Sequence, residues 1–290
     1  MTTHTYTALI TPFKDGKLDE QSFEKLINYQ IEGGVDGIVP CGTTGESPTL
    51  SHNEHNFVIE KSVEIAAGKI KVMAGTGSNS TYEAVTTTEF AKNAGADSCL
   101  VVTPYYNKPN REGVIKHFEA LNEVGIDIII YNIPGRSVIN MPNEDIAKLS
   151  NLKNIAGIKD ATGDLARVAT LRSLITKENF LYLSGEDITA VGFNAMGGDG
   201  VISVTSNIAP KLISDLQKAC KRGDYAQALE IQDKISPLSQ ALFADTNPIP
   251  IKYAASLMEL CSGEIRLPLC QPSEELKARI KEQMIRVGLI

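Results

Sequence analysis

A closed (β/α)₈ barrel, the TIM-barrel class of α/β fold, with a helical C-terminal extension is the architecture this 290-residue sequence predicts, on three observations. Eight short apolar runs of strand length recur between residues 8 and 204. Stretches of helical period lie between most neighbours. Glycines, hydroxyls and charges gather directly after the runs, as expected where chemistry collects at the C-terminal ends of barrel strands.

The runs fall at residues 8–11, 35–40, 71–75, 98–103, 127–131, 155–159, 180–184 and 201–204. Between them, residues 20–32, 54–67, 82–93 and 112–124 place apolar side chains three and four apart, so each reads as a crossover helix joining parallel strands. Eight such units in a chain of this size point to a closed barrel more than to an open doubly wound sheet. From Ala209 onward the strand runs stop, and residues 211–220, 225–242, 250–261 and 274–287 all read as helices. The expected division is a barrel carrying the active site over residues 1–222 and an extension packed on it over 223–290, with no linker between them.

Composition bounds the function. With 42% hydrophobic and 22% charged residues the chain is an ordinary globular protein, and its formal net charge of -7 offers no basic surface for a polyanion such as nucleic acid. Five widely spaced cysteines, Cys41, Cys99, Cys220, Cys261 and Cys270, suggest neither a disulfide framework nor a zinc cluster but free thiols in a reducing cytoplasm. The start, Met1-Thr2-Thr3-His4, lacks the basic and apolar segments of a leader, and no apolar run approaches a membrane span. A cytoplasmic protein is expected.

The stretch Ile155-Ala156-Gly157-Ile158-Lys159 puts an ammonium where an apolar strand leaves the core. Burial there disfavours the charged form and turns the amine into a nucleophile toward a carbonyl, as a Schiff base requires. The ordinary reading is a lysine whose stem covers apolar surface while its head reaches water. Three other strand ends bear on the choice. Gly42-Thr43-Thr44-Gly45-Glu46-Ser47 offers backbone N–H groups and hydroxyls to a small carboxylate, or else Thr44 or Ser47 simply caps the next helix. Tyr131 ends the neighbouring strand and would set its phenol beside the amine as a proton carrier, or else is a core tyrosine. Arg136 follows in a loop and suits a carboxylate held in two bonds, or else is a surface arginine. All four ordinary readings would have to coincide at one face of one barrel.

The motifs Gly42-Thr43-Thr44-Gly45-Glu46, Tyr131-Asn132-Ile133-Pro134-Gly135-Arg136 and Gly157-Ile158-Lys159-Asp160-Ala161-Thr162-Gly163, with Thr103-Pro104-Tyr105-Tyr106-Asn107 and Asn247-Pro248-Ile249-Pro250-Ile251-Lys252, resemble the dihydrodipicolinate (4-hydroxy-tetrahydrodipicolinate) synthases of the pyruvate-dependent class I aldolase superfamily. The resemblance implies a cofactor-free lyase that condenses pyruvate with L-aspartate 4-semialdehyde in lysine and diaminopimelate synthesis. It implies that Lys159 holds pyruvate as an imine, that Tyr131, Thr43 and Tyr106 relay protons, and that Thr44 binds the pyruvate carboxylate. Arg136 would take the semialdehyde carboxylate, while Gly185 and Ile202 would line the pocket. A homotetramer, a dimer of dimers in which Tyr106 completes a neighbour's relay, is also implied. So is an inhibitory L-lysine site at Ser47, Pro48, His52, His55, Asn79, Glu83 and Tyr105, although His52 and His55, three apart, also read as a solvated helix face. The family usually carries Glu where this chain has Asp160.

A sibling aldolase, an N-acetylneuraminate lyase or 2-keto-3-deoxy sugar-acid aldolase, would share Lys159 and Tyr131, but the sialate lyases lack an arginine at the place of Arg136. A metal-dependent aldolase is disfavoured because His4, His52, His55 and His117 form no cluster at the strand ends. A phosphate-binding barrel is disfavoured because Gly197-Gly198-Asp199-Gly200 precedes the last strand and has no basic neighbour in sequence.

Overall fold

The computed structural model describes residues 4–290, so the Met1-Thr2-Thr3 start lies outside the described residues. Eight parallel strands close into a barrel: β1 (His4–Ala8), β2 (Gly37–Val39), β3 (Lys71–Gly75), β4 (Ser98–Val102), β5 (Ile128–Asn132), β6 (Ile155–Asp160), β7 (Leu181–Ser184) and β8 (Gly200–Ser203). Closure comes from β1, which pairs with β2 through Tyr6 and Gly37 and with β8 through His4 and Gly200. Their near-continuous apolar content fits strands buried on both faces: every residue of β5 is buried.

Seven of the eight runs are strands within a residue or two of their expected bounds. The first is displaced: residues 8–11 were expected, and β1 occupies His4–Ala8. Thr5 and Thr7 disguised it: both are polar yet buried, Thr7 Oγ1 donating to Gln30 Oε1 at 2.7 Å, while the Thr5 main-chain N–H donates to Asp36 Oδ2 at 2.7 Å. The more apolar Leu9-Ile10 continues beyond the ladder, where the Ile10 N–H finds the Asn207 side chain at 3.0 Å instead of a strand. A small antiparallel hairpin, Phe13–Lys14 with Lys17–Leu18, was also unforeseen. Its Asp15-Gly16 turn has φ of +53° and +76°, the left-handed pair that a two-residue hairpin uses, and that dipeptide was the available signal.

Helices begin where side chains satisfy the free N–H groups of the first turn. Asp19 caps Glu20–Glu32, Asn110 caps Arg111–Asn122, and Ser51 with Glu54 forms a reciprocal capping box on His52–Ala66. Ser51 therefore does the capping that Thr44 or Ser47 might have done. The C-terminal segments fold as Pro210–Arg222, Tyr225–Leu242, Ile249–Leu257 and Glu274–Val287, and Leu242, Ile251, Ile280 and Met284 join the same apolar core as the barrel strands. Among the described residues no helix is long and apolar enough to cross a membrane, and all five cysteines are free thiols, Cys270 alone being exposed.

One buried ion pair ties the extension to the barrel. Lys252 Nζ binds Glu46 Oε1 with both side chains essentially inaccessible, the Arg266 N–H donates to Glu46 Oε2 at 3.0 Å, and Lys252 Nζ and the Arg266 guanidinium lie 4.2 and 4.0 Å from the Phe13 ring centre. Removing one partner of such a pair strands a buried charge. Lys252→Ala is expected to lower unfolding stability by about 3 kcal/mol or more, while Lys252→Met with Glu46→Gln loses much less. Denaturant titration of the three proteins checks this; equal losses in both variants would show that packing, not charge, dominates.

Candidate active site

The β5–β6 ladder places Tyr131 directly opposite Lys159. Side chains alternate along a strand, so Lys159 and its neighbour Asp160 point to opposite sides of the barrel wall. Lys159 Nζ lies 4.2 Å from the centre of the Tyr131 ring, and the lysine is only 6% exposed. Burial pushes the amine from its ordinary 10.5 down to about 8; the carboxylates of Asp187 and Glu186 oppose this, and the charge of Arg136 adds to it. Burial also pushes the Tyr131 phenol up to about 12, with Arg136 and the Thr43 side chain pulling the other way. At neutral pH the phenol keeps its proton and the amine readily sheds one, which matches a proton donor to a nucleophile.

The turn after β2 forms the opposite wall. Gly45, Glu46 and Ser47 donate back to Gly42 and Thr43 carbonyls at 3.0, 3.1 and 3.4 Å, whereas the Thr43 and Thr44 N–H groups have no acceptor among the described residues. Two unpaired N–H groups beside a hydroxyl can hold a small anion. The turn crosses so close to β3 that a Cβ on Gly75 would lie 2.3 Å from the Cys41 carbonyl oxygen, which accounts for glycine there.

A cavity of about 220 Å³ is walled by Thr43, Ser47, Tyr105, Tyr131 and Arg136. Arg136 is not in a loop: it sits on a single helical turn, Pro134–Ser137, with Nη2 donating to the Asn247 carbonyl at 3.0 Å. Thr44 is buried, Ile202 is fully buried on β8, and the Gly185 N–H donates to the Asp160 carbonyl at 2.7 Å; none of these three lines the cavity, and neither does Lys159, whose Tyr131 neighbour does. Tyr106 stands apart. It is 92% exposed with a φ of +70°, turned outward from its own bowl.

Asp160 faces away from Lys159. Its carboxylate accepts from Asn132 Nδ2 at 3.1 Å and from the Thr162 N–H at 3.0 Å and pairs with Arg167 Nε at 2.9 Å, so it braces β5, β6 and the helix Leu165–Leu174. The sequence reading missed Asp187. Its Oδ2 accepts three bonds of 3.0 Å from the Val204 N–H and the Thr205 N–H and hydroxyl, Oδ1 has no partner among the described residues, and burial raises its pKa. The signal was an acidic pair, Glu186-Asp187, just past a strand end.

A second cavity, of about 280 Å³, adjoins the first and shares Ser47, Pro48, Gly77 and Tyr105 with it; His52, His55 and Glu83 complete its polar wall. His52 Nε2 is 3.4 Å from Glu83 Oε1, Ser78 donates to Glu83 Oε2, and burial pushes His55 down to about 4. Asn79 is not on this wall; its carbonyl accepts from Asn107 Nδ2 at 2.8 Å. Among the described residues no three of His, Cys, Asp and Glu are grouped to hold a metal ion. The glycine run at 197–200 does have a basic neighbour, since Arg172 packs against Gly197, but it lies at the N-terminal end of β8, away from the bowl.

These features define a (β/α)₈ barrel with a desolvated lysine at the C-terminal end of its sixth strand, a setting in which an amine can act as a nucleophile. The chain belongs to the dihydrodipicolinate synthetase family, whose family model matches residues 1–286. It is 54% identical to the 4-hydroxy-tetrahydrodipicolinate synthase of Parvibaculum lavamentivorans over 287 residues, 99% of this chain and 98% of the relative. Among solved structures it superposes with a TM-score of 0.97 on the chloride-inhibited dihydrodipicolinate synthase of Acinetobacter baumannii complexed with pyruvate, at 41% identity and covering 100% of both chains. With a TM-score of 0.96 it superposes on the enzyme of Cyanidioschyzon merolae with lysine bound, at 36% identity and 99% of both chains.

The depressed amine sets a pH dependence. Trapping of pyruvate on Lys159 by cyanoborohydride should rise about tenfold per pH unit below about pH 8 and level off above it, because only the neutral amine attacks. Mass measurement of the adduct across pH checks this, with Lys159→Ala as the blank. A rate still climbing above about pH 10 would describe an ordinary solvated lysine.

Proposed function

We propose that this lyase condenses pyruvate with L-aspartate 4-semialdehyde to 4-hydroxy-tetrahydrodipicolinate, the first committed step of lysine and diaminopimelate synthesis, through an imine on Lys159 and without a cofactor. The observation that carries the reading is the buried Lys159 amine against the Tyr131 ring, within a chain so similar to 4-hydroxy-tetrahydrodipicolinate synthases. The neutral amine attacks the pyruvate C2 carbonyl and water leaves, with Tyr131 returning the proton the departing oxygen needs. Thr43 and Thr44 N–H groups take the pyruvate carboxylate. Loss of a methyl proton gives an enamine, whose carbon attacks the semialdehyde carbonyl while Arg136 holds that substrate's carboxylate. The substrate's amino group then attacks the imine carbon, displaces Lys159 and closes the ring, so the sum of the steps releases one water.

Tyr106 enters this scheme from outside. A phenol that is 92% exposed and turned from its own bowl suits a relay completed in a neighbouring subunit, and we place the chain in a homotetramer, a dimer of dimers. L-Lysine is the proposed inhibitor, bound in the second cavity. Glu83 offers a carboxylate to its ammonium, neutral His55 and Tyr105 line the wall, and the C. merolae relative with lysine bound supports the choice of ligand. Coupling to catalysis would run through Ser47, Pro48 and Tyr105, which wall both cavities.

Arg136→Ala should raise the KM for the semialdehyde by roughly a hundredfold and that for pyruvate far less, as expected when a charge-assisted carboxylate contact of about 2–3 kcal/mol is lost from one substrate alone. Steady-state assays varying each substrate decide it; equal effects would reduce Arg136 to a brace of its helical turn. Replacement of pyruvate's partner by N-acetylmannosamine should give no turnover. Millimolar lysine should inhibit the wild type and spare Glu83→Ala, and full inhibition of that variant would put the effector elsewhere.

A further inference from the structure

The C-terminal extension reaches into the bowl at one residue. Asn247, 9% exposed, donates from its side-chain Nδ2 to Thr44 Oγ1 at 2.9 Å, across 203 residues of chain, while its main-chain carbonyl accepts from Arg136 at 3.0 Å. Among the described residues the bond to Thr44 is the one the side-chain amide makes, Asn247 Oδ1 having no partner there. Thr44 Oγ1 thus receives a hydrogen bond, and its own proton has no acceptor among the described residues. In the same turn the N–H groups of Thr43 and Thr44 have no acceptor among the described residues.

From this geometry we infer that Asn247 is a positioning residue: by donating to Thr44 Oγ1 it directs the Thr44 hydroxyl proton to the pyruvate carboxylate, adding a third donor to the two backbone N–H groups. The inference rests on the condensation proposed above. A hydroxyl both accepts and donates, so a donor at residue 247 fixes which way the proton turns, and an acceptor there would take the proton for itself. One residue thereby serves both substrates by separable means, with its side chain acting on the pyruvate end through Thr44 and its main chain on Arg136. Substitution at 247 alters the first and retains the second.

Trapping of pyruvate by cyanoborohydride reads the pyruvate step alone, and the full assay reads the semialdehyde. Asn247→Ala should raise the pyruvate concentration for half-maximal trapping about tenfold, the size of one hydrogen bond to a charged group, with the semialdehyde KM changed less than about twofold. Asn247→Asp has the same shape but only accepts, and its charge opposes a carboxylate, so its effect should be larger, about a hundredfold. Thr44→Val should match Asn247→Ala, and the double variant should be no worse than either single. An Asp variant milder than Ala would mean that residue 247 only fills space, and one equal to wild type would mean that Thr44 already donates to it; either overturns the inference, as does additivity in the double variant. If Asn247→Ala does not fold, the isosteric Asn247→Asp and Thr44→Val carry the test. A wild type that traps no pyruvate overturns the proposed imine itself, whereas a wild type that traps it with variants lacking this order overturns only the role of Asn247.

Discussion

The arrangement turns on keeping one lysine out of water. Burial at 6% exposure works against the ammonium, and the fall from 10.5 to about 8 weakens its hold on the proton by ~3 kcal/mol relative to a solvated lysine. The barrel makes this possible because parallel strands buried on both faces leave no solvated side at which the amine could rest. Asp187 and Glu186 limit the shift, so that the amine stays mostly protonated near neutrality with a minor neutral fraction, and can exchange protons in both directions. The Tyr131 ring covers it from the next strand, fixed there by ladder register and not by a flexible loop.

Around that lysine, neighbouring strands divide the labour by the alternation of side chains. Lys159 faces the interior, and Asp160, one residue on, faces the helices, where Arg167, Asn132 and Thr162 consume its lone pairs. The shorter carboxylate at this position is therefore part of the wall that holds β6 in place, on the side of the strand away from Lys159.

The turn after β2 is held from a distance. Glu46 meets Lys252 and Arg266 in the interior, and Thr44 meets Asn247, so the groups offered to an anion are set by residues more than 200 positions away. A glycine-bearing turn has too much conformational freedom to hold two N–H groups convergent by itself. The buried pair supplies the restraint at a desolvation cost that a purely structural role would favour replacing with apolar side chains.

Local sequence determined much of this. Strand length and apolar content located seven of the eight strands, helical period located four crossover helices and the four C-terminal ones but not those at 143–150, 165–174 and 190–195, and the placement of Lys159, Tyr131 and the glycine turn at strand ends followed because polar residues at those ends are solvated or functional and stand out against apolar runs. What tertiary structure alone decided was whatever depends on a partner far along the chain. β1 was misplaced because Thr5 and Thr7 look solvent-facing, yet both are buried in the fold, where Gln30 takes the Thr7 hydroxyl. Arg136 was assigned to a loop because a four-residue helix carries no periodicity. Asp187 drew no role because only the fold brings the Val204 and Thr205 donors to its carboxylate. The bond from Asn247 to Thr44 is of the same kind: hydrogen bonds act over about 3 Å of space, and sequence separation places no limit on them.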